Sequence, residues 1–245
     1  MDTQKKTHII VISTKNNPQL CAVVAANLGT ELAENELKTT VVMPEDEKSP
    51  LCDFFRERNK LPPQDLSNLP ILSYKKISEK ELSSQDNQDV IIIPSCGDKD
   101  DFKSAFFFAD TLITVLDDKT SLALLSNPEP SKKNFLQPST YTNFVWEIKK
   151  HLASTQKKSL NWAVLPYQTE ETALKQEALL HEIAKHYGFR ISPRIAPRET
   201  FAELLNKGLT LFDLKTLGQM KTFEQLGAKR DCRKFAEFVL NLQKG

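Results

Sequence analysis

The residues best placed to do chemistry lie in Ser13-Thr14-Lys15-Asn16-Asn17-Pro18-Gln19-Leu20-Cys21-Ala22, where an apolar β-branched run ends and a helix is expected to begin. A strand that turns through glycines into a helix N-terminus cradles phosphate: loop N–H groups wrap the anion, a lysine neutralises it and a Ser or Thr hydroxyl holds Mg²⁺. This connection contains no glycine. Glycine is needed there because the backbone must take positive φ and come close to the phosphate. Pro18 removes one more N–H donor. Lys15 is the only cation in the stretch, and alone it reads as a solvated surface charge.

The other reactive residue types are scattered. Cys21, Cys52, Cys96 and Cys232 form no CxxC pair and no metal-ligand spacing, and read as reduced, mostly buried thiols in a reducing compartment. Cys21, Cys96 and His8 could meet near the C-terminal edge of a sheet, where α/β proteins bind ligands, and a helix N-terminus beside Cys21 would favour its thiolate. Nothing in the spacing demands this, and buried packing is the simpler role. His8, His151, His181 and His186 have no metal spacing, so no metal is expected. Basic residues gather at Lys132-Lys133, Lys149-Lys150 with Lys157-Lys158, Arg190-Arg194-Arg198, and Lys229-Arg230 with Arg233-Lys234, mostly as solvated helix faces. A formal net charge of +1 over 245 residues does not announce a nucleic-acid or membrane-surface protein.

Positioning these residues requires a frame, and the apolar pattern describes one. His8–Ser13, Thr39–Met43, Val90–Ile93, Leu112–Leu116 and Trp162–Leu165 are apolar without alternation, as strands are when helices cover both faces of a parallel sheet. Helices are expected over Gln19–Ala33, Pro50–Arg58, Ser139–Ser154, Glu170–Tyr187 and Phe223–Leu242. Apolar faces are expected from Tyr141, Phe144, Val145, Ile148 and Leu152 in the third, and from Ala173, Leu174, Leu180, Ile183, Ala184 and Tyr187 in the fourth. The fourth is expected to stop at Gly188. Leu61–Leu69 and Asn127–Pro138 read as surface loops. Strand alternating with helix means α/β: a mostly parallel twisted sheet covered by helices on both faces, in a single domain spanning 1–245. No apolar run approaches the ~20 residues that cross a bilayer, so a cytoplasmic protein without membrane attachment is expected.

Several segments then carry a resemblance. They are Pro138-Ser139-Thr140-Tyr141 followed by Val145-Trp146-Glu147; the strand Asn161-Trp162-Ala163-Val164-Leu165; and Gly188-Phe189-Arg190-Ile191, Arg198, Glu203-Leu204-Leu205 and Gly208–Leu214 in order. Phe54-Phe55 with Arg58 adds a weaker echo. In these the chain resembles the ParA/MinD class of deviant-Walker P-loop ATPases, and within it the MipZ family, which positions the division plane in alphaproteobacteria. The resemblance is specific over residues 138–214 and implies a P-loop NTPase-like fold.

The departures fall where that family's chemistry sits. Asn16 stands at the signature lysine, Cys21 at the phosphate lysine and Ala22 at the Mg²⁺ hydroxyl. Met43 and Glu45 stand at the DxD pair, and Pro94 at the Walker B aspartate, with Ser95-Cys96-Gly97 for its T-P-G turn. Tyr167-Gln168 replaces the base-reading Asn–Arg. The expectation is a pseudo-ATPase without ATP or Mg²⁺, regulating division-site placement or chromosome segregation. The resemblance implies a ParB-like centromere-binding protein or a division protein as partner, with nucleoid or pole association. It also implies non-specific DNA binding through Arg194 and Arg198, and a homodimer or heterodimer. The alternatives are an unconventional ATPase using Lys15 and Glu45, and an assembly scaffold or heterodimer partner of an intact family member.

Overall fold

The structure, a computed structural model, describes residues 7–43, 49–66, 70, 72–76, 88–96, 105–119, 122–127, 137–220 and 222–242. The five apolar runs form strands: β1 (His8–Thr14), β2 (Thr39–Met43), β4 (Val90–Cys96), β5 (Thr111–Asp117) and β8 (Asn161–Tyr167). Two further strands join them, β3 (Ser73–Lys76) and β9 (Arg190–Ile191). All seven pair in parallel in the order β3-β2-β4-β1-β5-β8-β9. The two additions lie at the sheet edges, and their sequences lack the apolar signature of the central strands.

Period-2 alternation sends each central strand into two cores. Ile10, Ile12, Ile92, Ile113 and Leu165 face one, and Val11, Ile91, Ile93, Leu112 and Val164 face the other. Helix α1 (Pro18–Glu34) supplies the first core along most of its length, with α2 (Pro50–Arg58), α6 (Glu199–Leu205), α7 (Leu211–Thr216) and α8 (Phe223–Leu242). Helices α4 (Thr140–Thr155) and α5 (Glu170–Tyr187) cover the second. The five expected helices are present. Gly188, at φ 72°, ends α5 in the left-handed conformation.

Some expectations need correction. Leu174 was placed on the apolar face of α5 but is 67% exposed, because only Leu180, Ile183, Ala184 and Tyr187 of that helix reach the core. Of the two expected loops, Leu61–Leu69 holds α3 (Pro63–Leu66), and the ends of Asn127–Pro138 join a two-stranded antiparallel pair of β6 (Ser126–Asn127) and β7 (Gln137–Pro138), while 67–69 and 128–136 lie outside the described residues. Lys229 was read as part of a solvated basic face but is buried. Among the described residues, no helix is long and apolar enough to cross a membrane.

Candidate functional site

The chain leaves β1 toward β2 on one side and leaves β4 toward β5 on the other. The order therefore reverses between β1 and β4, and sheets of this kind open a ligand crevice at such a point, beyond the strands' C-terminal ends. There Ser13 pairs with Ser95 and Thr14 with Cys96, and α1 begins four residues later at Pro18.

The first turn of α1 is closed by the chain itself. Asn17 is its N-cap, and the side-chain oxygen accepts the Leu20 N–H at 3.0 Å. The Asn17 amide donates to Asp117 Oδ2 at the end of β5 (3.2 Å), and the Thr14 hydroxyl donates to the Asn17 carbonyl (3.1 Å). Cys21 N–H bonds the same carbonyl at 3.0 Å, and Pro18 has no N–H to offer. Lys15 and Asn16 are exposed beside this cap.

Cys21 and Ala22 are each 2% exposed, packed into the first core. The Cys21 thiol donates to the Ile12 carbonyl at 3.4 Å and lies 3.8 Å from the Ser95 carbonyl. Burial, with Cys96 as a close neighbour, pushes it up to about 12, so the thiol stays protonated. Cys21 thus takes the buried packing role expected of it, and desolvation outweighs the pull of the helix N-terminus on its thiol. The grouping of His8 with Cys21 and Cys96 does not form. His8 lies at the other end of β1, its Nε2 3.0 Å from Thr111 Oγ1, and six strand steps of ~3.3 Å separate it from Thr14.

Pro94 sits half-buried on β4 opposite Ile12, past Ile92, the last β4 residue paired with β2, so its missing N–H breaks no bond in the β2–β4 register. Met43 ends β2. Glu45 and Gly97 lie outside the described residues. Tyr167 ends β8 beside Asp117, and its ring turns toward Phe201 of α6, centroids 6.1 Å apart. Burial, the largest influence, pushes its phenol up to about 12. Gln168 is 1% exposed and donates to Gln176 at 3.1 Å.

Arg194 and Arg198 are both engaged inside the chain. Arg194 Nη1 bonds the Gln168 carbonyl at 2.9 Å. Arg198 Nη2 forms an ion pair with Asp231 of α8 at 2.9 Å, both side chains less than one-fifth exposed.

Sequence reasoning passed over Asn17, Asp117 and Tyr141 as site residues. An Asn-Pro dipeptide at a strand–helix junction signals a capped helix start and could have found the first. An aspartate closing an apolar strand could have found the second. Tyr141 needed the fold: its hydroxyl lies 2.8 Å from Thr114 Oγ1, which also accepts from Trp162 Nε1 at 3.0 Å. Burial raises that phenol, and a hydrogen bond with Ser13 ties it to the end of β1.

The sequence profile of the family described as ATPase MipZ matches residues 60–243. No curated protein matches the chain. Among solved structures, the MinD cell division protein of Aquifex aeolicus superposes with a TM-score of 0.58 at 16% identity, covering 96% of this chain and 98% of that one. The septum site-determining protein MinD of Pyrococcus horikoshii, complexed with Mg-ADP, gives 0.58 at 15% identity, with 96% of each chain covered. A ParA family ATPase from Chlorobium tepidum gives 0.56 at 14%, covering 94% of this chain and 99% of that one. With three quarters of its length matched by one profile and the sheet and helices of MinD and ParA around it, the chain belongs to the ATPase MipZ family.

Proposed function

We propose that this protein regulates division-site placement or chromosome segregation by binding partners, and that it does not hydrolyse ATP. The observation that carries the reading is the self-capped first turn of α1. Asn17 occupies the Leu20 N–H and reaches Asp117, in a connection without glycine. A phosphate would have to displace that cap, and it would find a buried, protonated Cys21 and the methyl group of Ala22 where a lysine and a magnesium-binding hydroxyl serve in relatives. The profile match also begins at residue 60, past this segment.

The partner is a ParB-like or division protein, or a second chain of the same family; one solved neighbour is a MinC:MinD complex. Non-specific DNA contact through Arg194 and Arg198 belongs to this reading only if the Arg198–Asp231 pair opens on binding. A log–log salt slope near zero would remove DNA from the list of partners.

The deciding experiment is thermal unfolding with and without millimolar Mg-ATP. A ligand at a hundredfold excess over its Kd stabilises by about 2.7 kcal/mol, a readily visible rise in Tm. No change is expected. A magnesium-dependent rise would overturn the reading in favour of an ATPase that uses Lys15 and Glu45.

A further inference from the structure

The fold brings two of the four cysteines together at the crevice. Val90 and Ile92 of β4 face the first core while Ile91 and Ile93 face the second, so strand alternation turns Cys96 toward the side that α1 covers. Cys21 reaches the same place from the first turn of α1. Its Sγ lies 3.4 Å from the Ile12 carbonyl oxygen and 3.8 Å from that of Ser95. Cys96 follows Ser95 directly, so its Cα stands within ~3 Å of the Ser95 oxygen and less than ~7 Å from the Cys21 sulfur. A Cys96 side chain turned toward that sulfur covers ~3 Å of the distance and leaves the two sulfurs at about contact separation.

The two thiols are free and differ in access. Cys96 is partly exposed at the C-terminal end of β4, whereas Cys21 is buried behind it. Burial first, and then the nearness of Cys96, holds the Cys21 thiol up. An oxidant arriving from solvent therefore meets Cys96, and Cys21 meets only what Cys96 becomes. Cys52 and Cys232 are buried in α2 and α8.

We propose that Cys21 and Cys96 form a reversible disulfide, driven by a hydroperoxide, that fastens the first turn of α1 to the end of β4. The Cys96 sulfur attacks the peroxide: an S–O bond forms, the O–O bond breaks, and Cys96 becomes a sulfenic acid as water or an alcohol leaves. The Cys21 sulfur then attacks the Cys96 sulfur: the S–S bond forms, the S–O bond breaks, and the Cys21 proton departs with the hydroxyl as water. The hydroperoxide gains two electrons and the thiol pair loses two. Protonation of Cys21 slows the second step, and holding the two sulfurs side by side offsets it. Where thiols are otherwise kept reduced, disulfides of this kind are transient and redox-sensing. The inference rests on the geometry of the crevice and holds whether or not nucleotide binds there.

The full chain is treated with hydrogen peroxide, alkylated in denaturant and mapped by mass spectrometry without reductant. A linkage of Cys21 to Cys96 is expected, with the mass of two hydrogens lost, Cys52 and Cys232 alkylated, and the bond reversed by dithiothreitol. Tm should rise by several degrees on oxidation, because the bond closes a long loop, and should fall back on reduction. In Cys21→Ala, Cys96 lacks its partner and should be trapped by dimedone as the sulfenic acid adduct. Cys96→Ser changes a partly exposed position and should lose both the linkage and the Tm response, which keeps a test in hand if Cys21→Ala fails to fold. Cys96 oxidised while Cys21 remains open to alkylation, no linkage at all, or a Tm response that survives Cys96→Ser would overturn the proposal.

Discussion

Asn17 does for the first turn of α1 what an anion does at a phosphate-binding helix, satisfying a free N–H with an oxygen supplied in place. Restoring one lysine therefore should not restore a nucleotide site. Cys21→Lys would bury an ammonium at a 2% exposed position, lowering stability by several kcal/mol on the scale of uncompensated buried charge. It should leave binding of a fluorescent ATP analogue undetectable, as checked by urea unfolding and anisotropy. Asp110 gives a pH-dependent counterpart. Burial pushes its carboxyl up, but the Ile9 N–H at 2.9 Å and the Lys158 ammonium at 2.9 Å pull harder, and the net shift is downward. A depressed carboxyl stabilises the fold above its unfolded pKa, and that contribution is lost as pH falls through the folded value. Asp110→Asn should thus be less stable than the parent at neutral pH by about 1–3 kcal/mol, with the gap closing as pH falls below the ordinary aspartate range. Denaturant midpoints at both pH values would check it.

At the scale of elements, the segments that carry the family resemblance act as fasteners. Arg58 at the end of α2 and Asp213 in α7 form a buried two-pronged ion pair at 2.7 and 3.0 Å, and Arg58 also donates to the Gly208 carbonyl at 3.1 Å. Asp213 accepts from the N–H and hydroxyl of Thr210, closing a capping box. Removing either charge leaves the other buried, so Arg58→Ala and Asp213→Ala should each destabilise by about 3–5 kcal/mol, and the double variant by less than their sum. Gly208 sits beside this pair at φ 68°, and a Cβ there would stand 2.1 Å from the Arg58 backbone nitrogen. Gly208→Ala should therefore cost more than about 2 kcal/mol, from strain and collision together. Chemical denaturation of the four variants tests the set. Trp146 works likewise on the other face, donating to the Tyr187 carbonyl at 3.2 Å and joining α4 to the end of α5.

For the molecule as a whole, a seven-stranded parallel frame places at the crevice a helix start that Asn17 caps itself and ties to Asp117. A ligand shifts an equilibrium only by its differential affinity for the two states. If ATP makes no phosphate contacts here, association between chains depends on protein surfaces alone. The molar mass by light scattering should then be the same with and without Mg-ATP at every protein concentration. A mass that rises with nucleotide would contradict both the self-capped crevice as a barrier and the reading as a pseudo-ATPase.

Sequence alone determined the central strands and long helices, because burial on both faces forces continuous β-branched runs and amphipathic helices announce themselves by period. It also showed the glycine-free connection, since composition needs no coordinates to read. It could not show that Asn17 reaches Asp117, a hundred residues away, or that His8 and Cys21 stand at opposite ends of one strand's crossing. Nor could it pair Arg58 with Asp213, or place Glu31 and Lys229 among the buried charges, since basic and acidic residues on a helix look the same in sequence whether solvated or enclosed. The edge strand Ser73–Lys76 escaped because it has no apolar run to announce it. Local pattern fixes which residues are apolar and where elements run; only the packing of distant elements decides which polar groups meet, and every feature of the candidate sites is such a meeting.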